Sequence, residues 1–175
     1  MYDVIVIGSG PAGITAAIYA KRRNLSILVI SKGISALQKA EKIDNYYGFE
    51  NGISGKELYE NGIKQAKNLG IDFIEDEIIN IEYINQFTIE TVNSKYEAKA
   101  VILATGVSRN VPNIKGIKEF EGKGVSYCAV CDSFFYKDKD VAVLGDGNYA
   151  IHEFETLKPV ASSVTILTNG NTMVE

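Results

Sequence analysis

Tryptophan is absent from the chain, histidine occurs once as His152, cysteine twice and proline three times in 175 residues. Each scarcity excludes something. Two cysteines cannot build the multi-bridge framework of a small secreted domain. With a single histidine beside them, they cannot supply the four ligands of a structural zinc site unaided. No run of Lys and Arg is longer than Lys21-Arg22-Arg23, and the formal net charge is -4 with a sequence pI near 5.2. The chain therefore lacks the basic footprint that nucleic acid requires. Long apolar runs are missing too, because the most apolar stretch, 2–20, is broken by Asp3, Gly8, Gly10, Pro11 and Gly13, which excludes a hydrocarbon-spanning helix. No basic leader precedes that stretch, as a signal peptide would require. These absences lead to the expectation of a cytoplasmic protein with neither membrane nor nucleic acid as partner.

What is present is an ordinary globular mixture, 46% hydrophobic and 23% charged, long enough for one domain, or for one and part of a second. The opening run Tyr2-Asp3-Val4-Ile5-Val6-Ile7 reads as a strand buried on both faces of a parallel sheet. Small and apolar residues from Gly13 to Arg23 predict a helix that packs closely on that sheet, ended at Asn24. A strand follows over 26–30, so the first thirty residues form a βαβ unit. Residues 31–55 read as a long irregular loop, the kind of segment that holds ligands. Ser54 and Glu57 begin the next helix, closed by Gly70. Alternation at Ile79, Ile81 and Tyr83 and at Phe87 and Ile89 predicts antiparallel strands. A turn at Asn93-Ser94 precedes Tyr96 and Ala98, and Ala100 to Ala104 reads as a further, central strand. After Pro112 the pattern restarts, with strand over 141–144, helix over 148–157 and strand over 164–167. The fold expected is α/β. A three-layer, ββα/Rossmann-like dinucleotide domain over 1–111 is followed by the start of a second Rossmann-like domain over 112–175, which stops before a sheet of about four to six strands is complete.

Three motifs carry chemistry. Gly8-Ser9-Gly10-Pro11-Ala12-Gly13 is a G-x-G-x-x-G set between strand and helix, where Gly8 allows the tight turn, Gly10 the approach of a pyrophosphate and Gly13 close helix–strand packing. The helix start offers its unpaired N–H groups to the anion. Strand two ends in Ser31-Lys32-Gly33 without the usual acidic residue, so ribose recognition must differ. Cys128-Ala129-Val130-Cys131 holds both cysteines, and beside a βαβ pattern it points to redox chemistry, with Asp132 placed to move protons during exchange. Gly145-Asp146-Gly147-Asn148-Tyr149-Ala150 is a second phosphate-loop candidate, weakened by the charge of Asp146 and by the lack of an arginine after the next strand. His152, just beyond it, reads as structural.

These segments in this order, together with Ile43-Asp44-Asn45-Tyr46-Tyr47-Gly48-Phe49, Ala104-Thr105-Gly106, Gly124 to Asp132 and Phe134-Phe135-Tyr136, resemble the low-molecular-weight thioredoxin reductase family. The resemblance implies an FAD domain interrupted by a pyridine-nucleotide domain that carries the redox disulfide, in a homodimer. It implies that Gly8, Ser9, Gly10, Pro11, Ala12 and Gly13 hold the FAD pyrophosphate. Ser31, Gln38 and Asn45 would stand on the adenosine or flavin side, and Ala104, Thr105 and Gly106 would pass close to the cofactor. Cys128 and Cys131 would pass electrons to thioredoxin or a thioredoxin-like protein, with Asp132 as acid and base and the order of the cysteines open. The family's histidine-arginine-arginine element is missing and Ser133 replaces a common glycine. Two donors therefore stay open, NADPH and, as in the ferredoxin-dependent flavin thioredoxin reductases, ferredoxin. The family's return to the FAD domain is also missing, so the reading expects a fragment or a chain that depends on further material. A nucleotide-binding piece without turnover is the alternative from another class.

Overall fold

A computed structural model of the chain describes residues 1–107 and 111–173. The chain forms two compact units divided between residues 110 and 111.

The first unit is built from β1 (Tyr2–Ile7), α1 (Pro11–Lys21), β2 (Ile27–Ser31), a 3-10 turn (Ala36–Lys39), α2 (Gly55–Asn68), β3 (Asp72–Glu75), β4 (Ile78–Ile84), β5 (Gln86–Thr91) and β6 (Lys95–Leu103). Strand order is β3-β2-β1-β6-β5-β4, parallel from β3 to β6 and antiparallel from β6 to β4. The period of two along β1 and β2 divides the core. Val4, Val6, Ile27 and Val29 face Ile14 and Ala17 of α1 and Ala66 of α2. Ile5, Ile7, Leu28 and Ile30 instead meet Ile89 and Ala98 of the antiparallel strands. Helices and meander thus cover opposite faces of one parallel sheet, the three-layer arrangement expected. Ile5, Ile27, Leu28, Ile30 and Ile89 are completely buried, and each contributes on the order of 1.5–3 kcal/mol.

Local chemistry explains the boundaries. Pro11 at the first helical position has its φ preset and no N–H to lose, so α1 starts two residues earlier than the apolar pattern suggested. It ends before Asn24, whose φ of 60° is the left-handed turn expected there. Ser54 Oγ accepts from Glu57 N–H at 3.1 Å and opens α2. The segment expected as irregular, 31–55, contains the 3-10 turn and is closed by a two-way bridge between Ile43 and Ile53, with N–O distances of 2.8 and 3.1 Å. A pairing of residues ten apart leaves no periodic trace in the sequence. β6 runs unbroken through the two segments read separately, and Ala98 pairs with both Tyr2 of β1 and Phe87 of β5. At the start of β1, Asp3 accepts from Lys99 Nζ at 2.7 Å and from the N–H and hydroxyl of Ser26 at 2.9 and 2.7 Å. That side chain ties β1 to β6 and to the entry of β2.

The second unit contains α3 (Ala129–Asp132), a 3-10 turn (Ser133–Tyr136), β7 (Asp140–Leu144), α4 (Asn148–Leu157) and β8 (Ser163–Leu167). β7 and β8 pair in parallel, with Ala129, Val143, Ala150 and Leu157 as the buried centre. Among the described residues no helix is long and apolar enough to cross a membrane.

Candidate functional site

In the first unit β1 has β2 on one side and β6 on the other, although the chain reaches β6 only after β5. The carboxyl ends of β1 and β6 therefore flank a topological switch point, where α/β sheets hold ligands. Gly8 leaves β1 there with φ 108°, and a Cβ added to it would come within 2.2 Å of the Ala104 carbonyl oxygen. A Cβ on Gly13 would lie 2.0 Å from the Gly8 carbonyl oxygen. The fold itself demands these two glycines.

Gly10 is different. Its φ of -67° suits any residue, and the nearest atom to an added Cβ is Ser35 Oγ, at 3.6 Å. Nothing among the described residues requires glycine at this position, which faces the start of a helix that none of their side chains caps. A bare backbone, an uncapped helix start and a loop without charged residues suit the close approach of a pyrophosphate. The cradle thus fits FAD. Ser9 is buried and its hydroxyl shares a hydrogen bond of 2.9 Å with Tyr59 of α2, so its side chain serves the scaffold. Pro11 and Ala12 lie exposed on the first turn.

The other candidate residues of this unit are distributed around that crevice. Ala104 N–H donates to Ile7 O at 2.8 Å, which holds Ala104 and Thr105 directly against Gly8. Gly106 follows with φ 74°. Ser31 ends β2, half-buried, its carbonyl taken by Asp76 N–H at 3.0 Å. Gln38 Oε1 accepts from Ser35 N–H at 2.9 Å, so its carbonyl is engaged in capping the 3-10 turn. Asn45 is exposed in the 31–55 excursion, and among the described residues no hydrogen bond joins it to the glycine loop. Ser35, close to Gly10, is a site residue that sequence reasoning missed.

In the second unit Cys128 and Cys131 form a disulfide with their Cα atoms 5.3 Å apart. Cys128 caps α3, and its sulfur accepts from Cys131 N–H at 3.3 Å. Ser126 Oγ accepts from Cys128 N–H at 3.1 Å and donates to Asp132 Oδ2. Asp132 is thereby joined through one hydroxyl to the backbone of Cys128. Burial, and then the charge of Asp132, push the Tyr136 phenol above its ordinary value, so it stays protonated. Val130, Phe134 and Phe135 are exposed around the pair.

Two further side chains touch this turn from α4: Tyr149, read in the sequence only as part of the second glycine loop, and Glu153, which the sequence reading did not single out. Glu153 Oε2 accepts from Ala129 N–H, and Tyr149 Oη donates to the Tyr127 carbonyl at 2.9 Å. One signal for Glu153 existed: Ala150, Glu153 and Leu157 share the buried stripe of α4, and an acid in an apolar stripe marks a carboxylate with a dedicated partner. Exposed His152 stands beside it, Nδ1 3.5 Å from Glu153 Oε1.

The loop 145–150 repeats the first arrangement. Gly147, with an ordinary φ of -120°, caps α4, and among the described residues no side chain caps that helix and an added Cβ would meet nothing within 4 Å. Asp146 Oδ2 accepts from Asn171 Nδ2 at 2.6 Å, which links the loop to the segment after β8.

The comparisons with known proteins agree with this anatomy. The sequence model described as pyridine nucleotide-disulphide oxidoreductase matches residues 2–175. A thioredoxin reductase of Bacillus subtilis strain 168 is 44% identical over 170 residues, covering 95% of this chain and 54% of that protein. One from Aquifex aeolicus is 40% identical, with 98% and 54% covered. The crystal structure of thioredoxin reductase from Streptococcus pyogenes superposes with a TM-score of 0.90 at 38% identity, over 99% of this chain and 57% of that one. The chain thus spans about half the length of the relatives it matches. With an α/β fold built on a parallel sheet and a match along nearly its whole length, the chain belongs to the pyridine nucleotide-disulphide oxidoreductase family.

Proposed function

We propose that the chain is the FAD-holding and disulfide-bearing part of a flavoprotein disulfide reductase that delivers electrons to thioredoxin or a thioredoxin-like protein. Residues 1–111 are the FAD domain in this reading, and 112–175 the disulfide-bearing, nucleotide-type domain. The observation that carries the reading is the closed Cys128–Cys131 disulfide with Asp132 tied to the same turn. The resemblance to proteins named thioredoxin reductase supports the same substrate.

Gly8, Gly10 and Gly13 admit the pyrophosphate to the helix start, Pro11 and Ala12 line that start, and Ser9 braces the loop against Tyr59. Ser31, Gln38 and Asn45 border the adenosine or flavin side, with Ala104, Thr105 and Gly106 along the crevice wall. Bound there, FAD supplies a two-electron carrier able to exchange electrons with a disulfide. When the disulfide opens, one sulfur becomes the attacking thiolate: Cys128 receives the Cys131 N–H, and Cys131 is the more exposed of the two. The trapping experiment below assigns the order. The attacking sulfur bonds to one sulfur of the partner disulfide and expels the other as a thiolate, which takes a proton from water. The second cysteine gives its proton to the Asp132 carboxylate, attacks the first, re-forms the disulfide and expels the partner's remaining sulfur as a thiolate, to which Asp132 passes that proton. Two electrons pass to the partner, and the pair returns oxidised.

One observation favours a second reading of the electron donor. Asp146 puts a carboxylate inside the second glycine loop, and from residue 140 onward the only basic side chains are His152 and Lys158. A 2′-phosphate finds no arginine there, so a ferredoxin-fed reductase is the alternative to an NADPH-fed one. The homodimer is what the family resemblance implies and the cytoplasmic setting is the expectation drawn from composition; sedimentation and cell fractionation check them.

The test is a trapping experiment with the pre-reduced chain and oxidised thioredoxin. Cys128→Ser and Cys131→Ser are both tested: one of them accumulates a mixed disulfide through its remaining cysteine, seen by mass spectrometry, which identifies the attacking thiolate. Absence of any mixed disulfide in both variants, with no thiols transferred by the unaltered chain, contradicts the proposal.

A further inference from the structure

α4 contributes two side chains to the redox turn, and they hold opposite sides of one residue. The Tyr149 hydroxyl donates to the carbonyl of Tyr127, the residue before Cys128. The Glu153 carboxylate accepts from the N–H of Ala129, the residue after it. Glu153 is 9% exposed. A carboxylate so far from water is costly unless it is dedicated to a donor, and the disulfide chemistry derived above makes no use of it. We propose that Tyr149 and Glu153 are positioning residues that clamp the backbone of Cys128 and set the redox equilibrium of the Cys128–Cys131 pair. The proposal rests on the reading of that pair as redox-active.

The sign follows from charge. Glu153 engages the peptide N–H next to Cys128 and places a negative charge one peptide unit from it. Asp132, reached through Ser126, adds a second negative charge to the same turn. His152 is the cation-capable group beside Glu153, and it is exposed. A thiolate at Cys128 keeps the Cys131 N–H but meets both charges, so at a pH where the thiol ionises the dithiol is disfavoured and the pair is the stronger reductant. The Tyr149 clamp acts in the same direction by a different route. It fixes the approach to Cys128, so the closed disulfide loses less chain freedom than it would on a loose loop.

The clamp also links two motifs that the sequence presents as unrelated. α4 begins at Gly147 of the second glycine loop and carries Tyr149 one residue into the helix. A ligand on that loop would bear on the residue that braces Cys128.

The experiment equilibrates the full chain at about pH 10, above the ordinary thiol value of about 8.5, with mixtures of reduced and oxidised dithiothreitol, then quenches by alkylation and counts thiols by mass. It needs neither flavin nor thioredoxin, so it stands apart from the trapping test of the function. Glu153→Gln keeps an acceptor for Ala129 N–H and removes the charge. It shifts the equilibrium about tenfold toward the dithiol, which is about 30 mV for a two-electron couple. Tyr149→Phe shifts it in the same direction by about two- to threefold, on the order of one ordinary hydrogen bond or less. Thermal melting establishes that each variant folds. An equilibrium within twofold of the unaltered chain in folded Glu153→Gln overturns the charge argument. Should Glu153→Gln fail to fold, an unshifted equilibrium in Tyr149→Phe overturns the clamp. A pair that does not equilibrate reversibly in the unaltered chain overturns the proposal together with the redox reading beneath it.

Discussion

The two glycine loops, 8–13 and 145–150, occupy the same place in two βαβ units and differ at two of their six positions in ways that matter. The third small residue is Gly13 in one and Ala150 in the other. A Cβ at Gly13 would lie 2.0 Å from the Gly8 carbonyl oxygen, whereas the second loop accommodates the methyl of Ala150 in its buried centre. The second position is Ser9 in one, buried on Tyr59, and Asp146 in the other, held by Asn171. Both loops keep a middle glycine that the fold does not need, Gly10 and Gly147. Backbone economy of this kind marks where a phosphate can approach, and the charge beside it decides how well. The first loop presents a neutral helix start, and the second presents one that carries its own anion.

Exchanging the third positions gives the largest expected effect. Gly13→Ala forces backbone apart and costs about 3 kcal/mol, the upper part of the range for overpacking, and the chain loses FAD as well as melting temperature. Ala150→Gly costs about 1 kcal/mol, the helix preference of alanine over glycine. Equal melting temperatures for the two variants would break the comparison. The middle glycines separate ligand from fold more finely. Gly10→Ala leaves the melting temperature nearly unchanged and weakens FAD by at least about tenfold, or 1.4 kcal/mol, measured by flavin fluorescence. A parallel loss of stability would mean that Gly10 serves the scaffold after all.

Charge comes next. Asp146→Asn removes the anion from the second loop and strengthens binding of a pyridine nucleotide by about fivefold, near the 1 kcal/mol that a helix-terminus charge is worth. Unchanged affinity would show that something other than Asp146 separates the two loops. The smallest effect concerns Asp3. The Lys99 ammonium, followed by the Ser26 N–H and hydroxyl, holds its carboxyl well below the usual carboxylate range. A depressed folded value stabilises above the unfolded value of about 3.9 and loses that stabilisation as pH falls through the folded one. Asp3→Asn is thus slightly less stable than the unaltered chain near neutrality, and the difference shrinks below about pH 4. A gap that widens on acidification would contradict the assignment.

Local rules account for what was legible in the sequence. The β-branched run 2–7, the glycines that follow it and the alternation around Ile81 and Ile89 state their own geometry, so the layered α/β unit could be read directly. β3 was not legible, because four residues with Asp72 and Glu75 at the ends carry no apolar run and gain their register only from β2. The bridge that closes 31–55 was invisible for a similar reason. In the site, residue type marked Cys128, Cys131 and Asp132. Ser126, Tyr149 and Glu153 act through backbone contacts that only folding creates. Ser9 and Gln38 show the converse. Their positions lie in the candidate cradle, yet their side chains spend their hydrogen bonds on Tyr59 and Ser35.

The central claim is that this chain carries electrons between a flavin and a thioredoxin disulfide through Cys128 and Cys131. An anaerobic visible-absorbance titration tests it most directly: the purified chain with FAD is reduced by dithionite, then mixed with oxidised thioredoxin. The account predicts that the bleached flavin band returns in the unaltered chain and stays bleached in Cys128→Ser and Cys131→Ser. A band that stays bleached in the unaltered chain, or that returns equally in both variants, would contradict it.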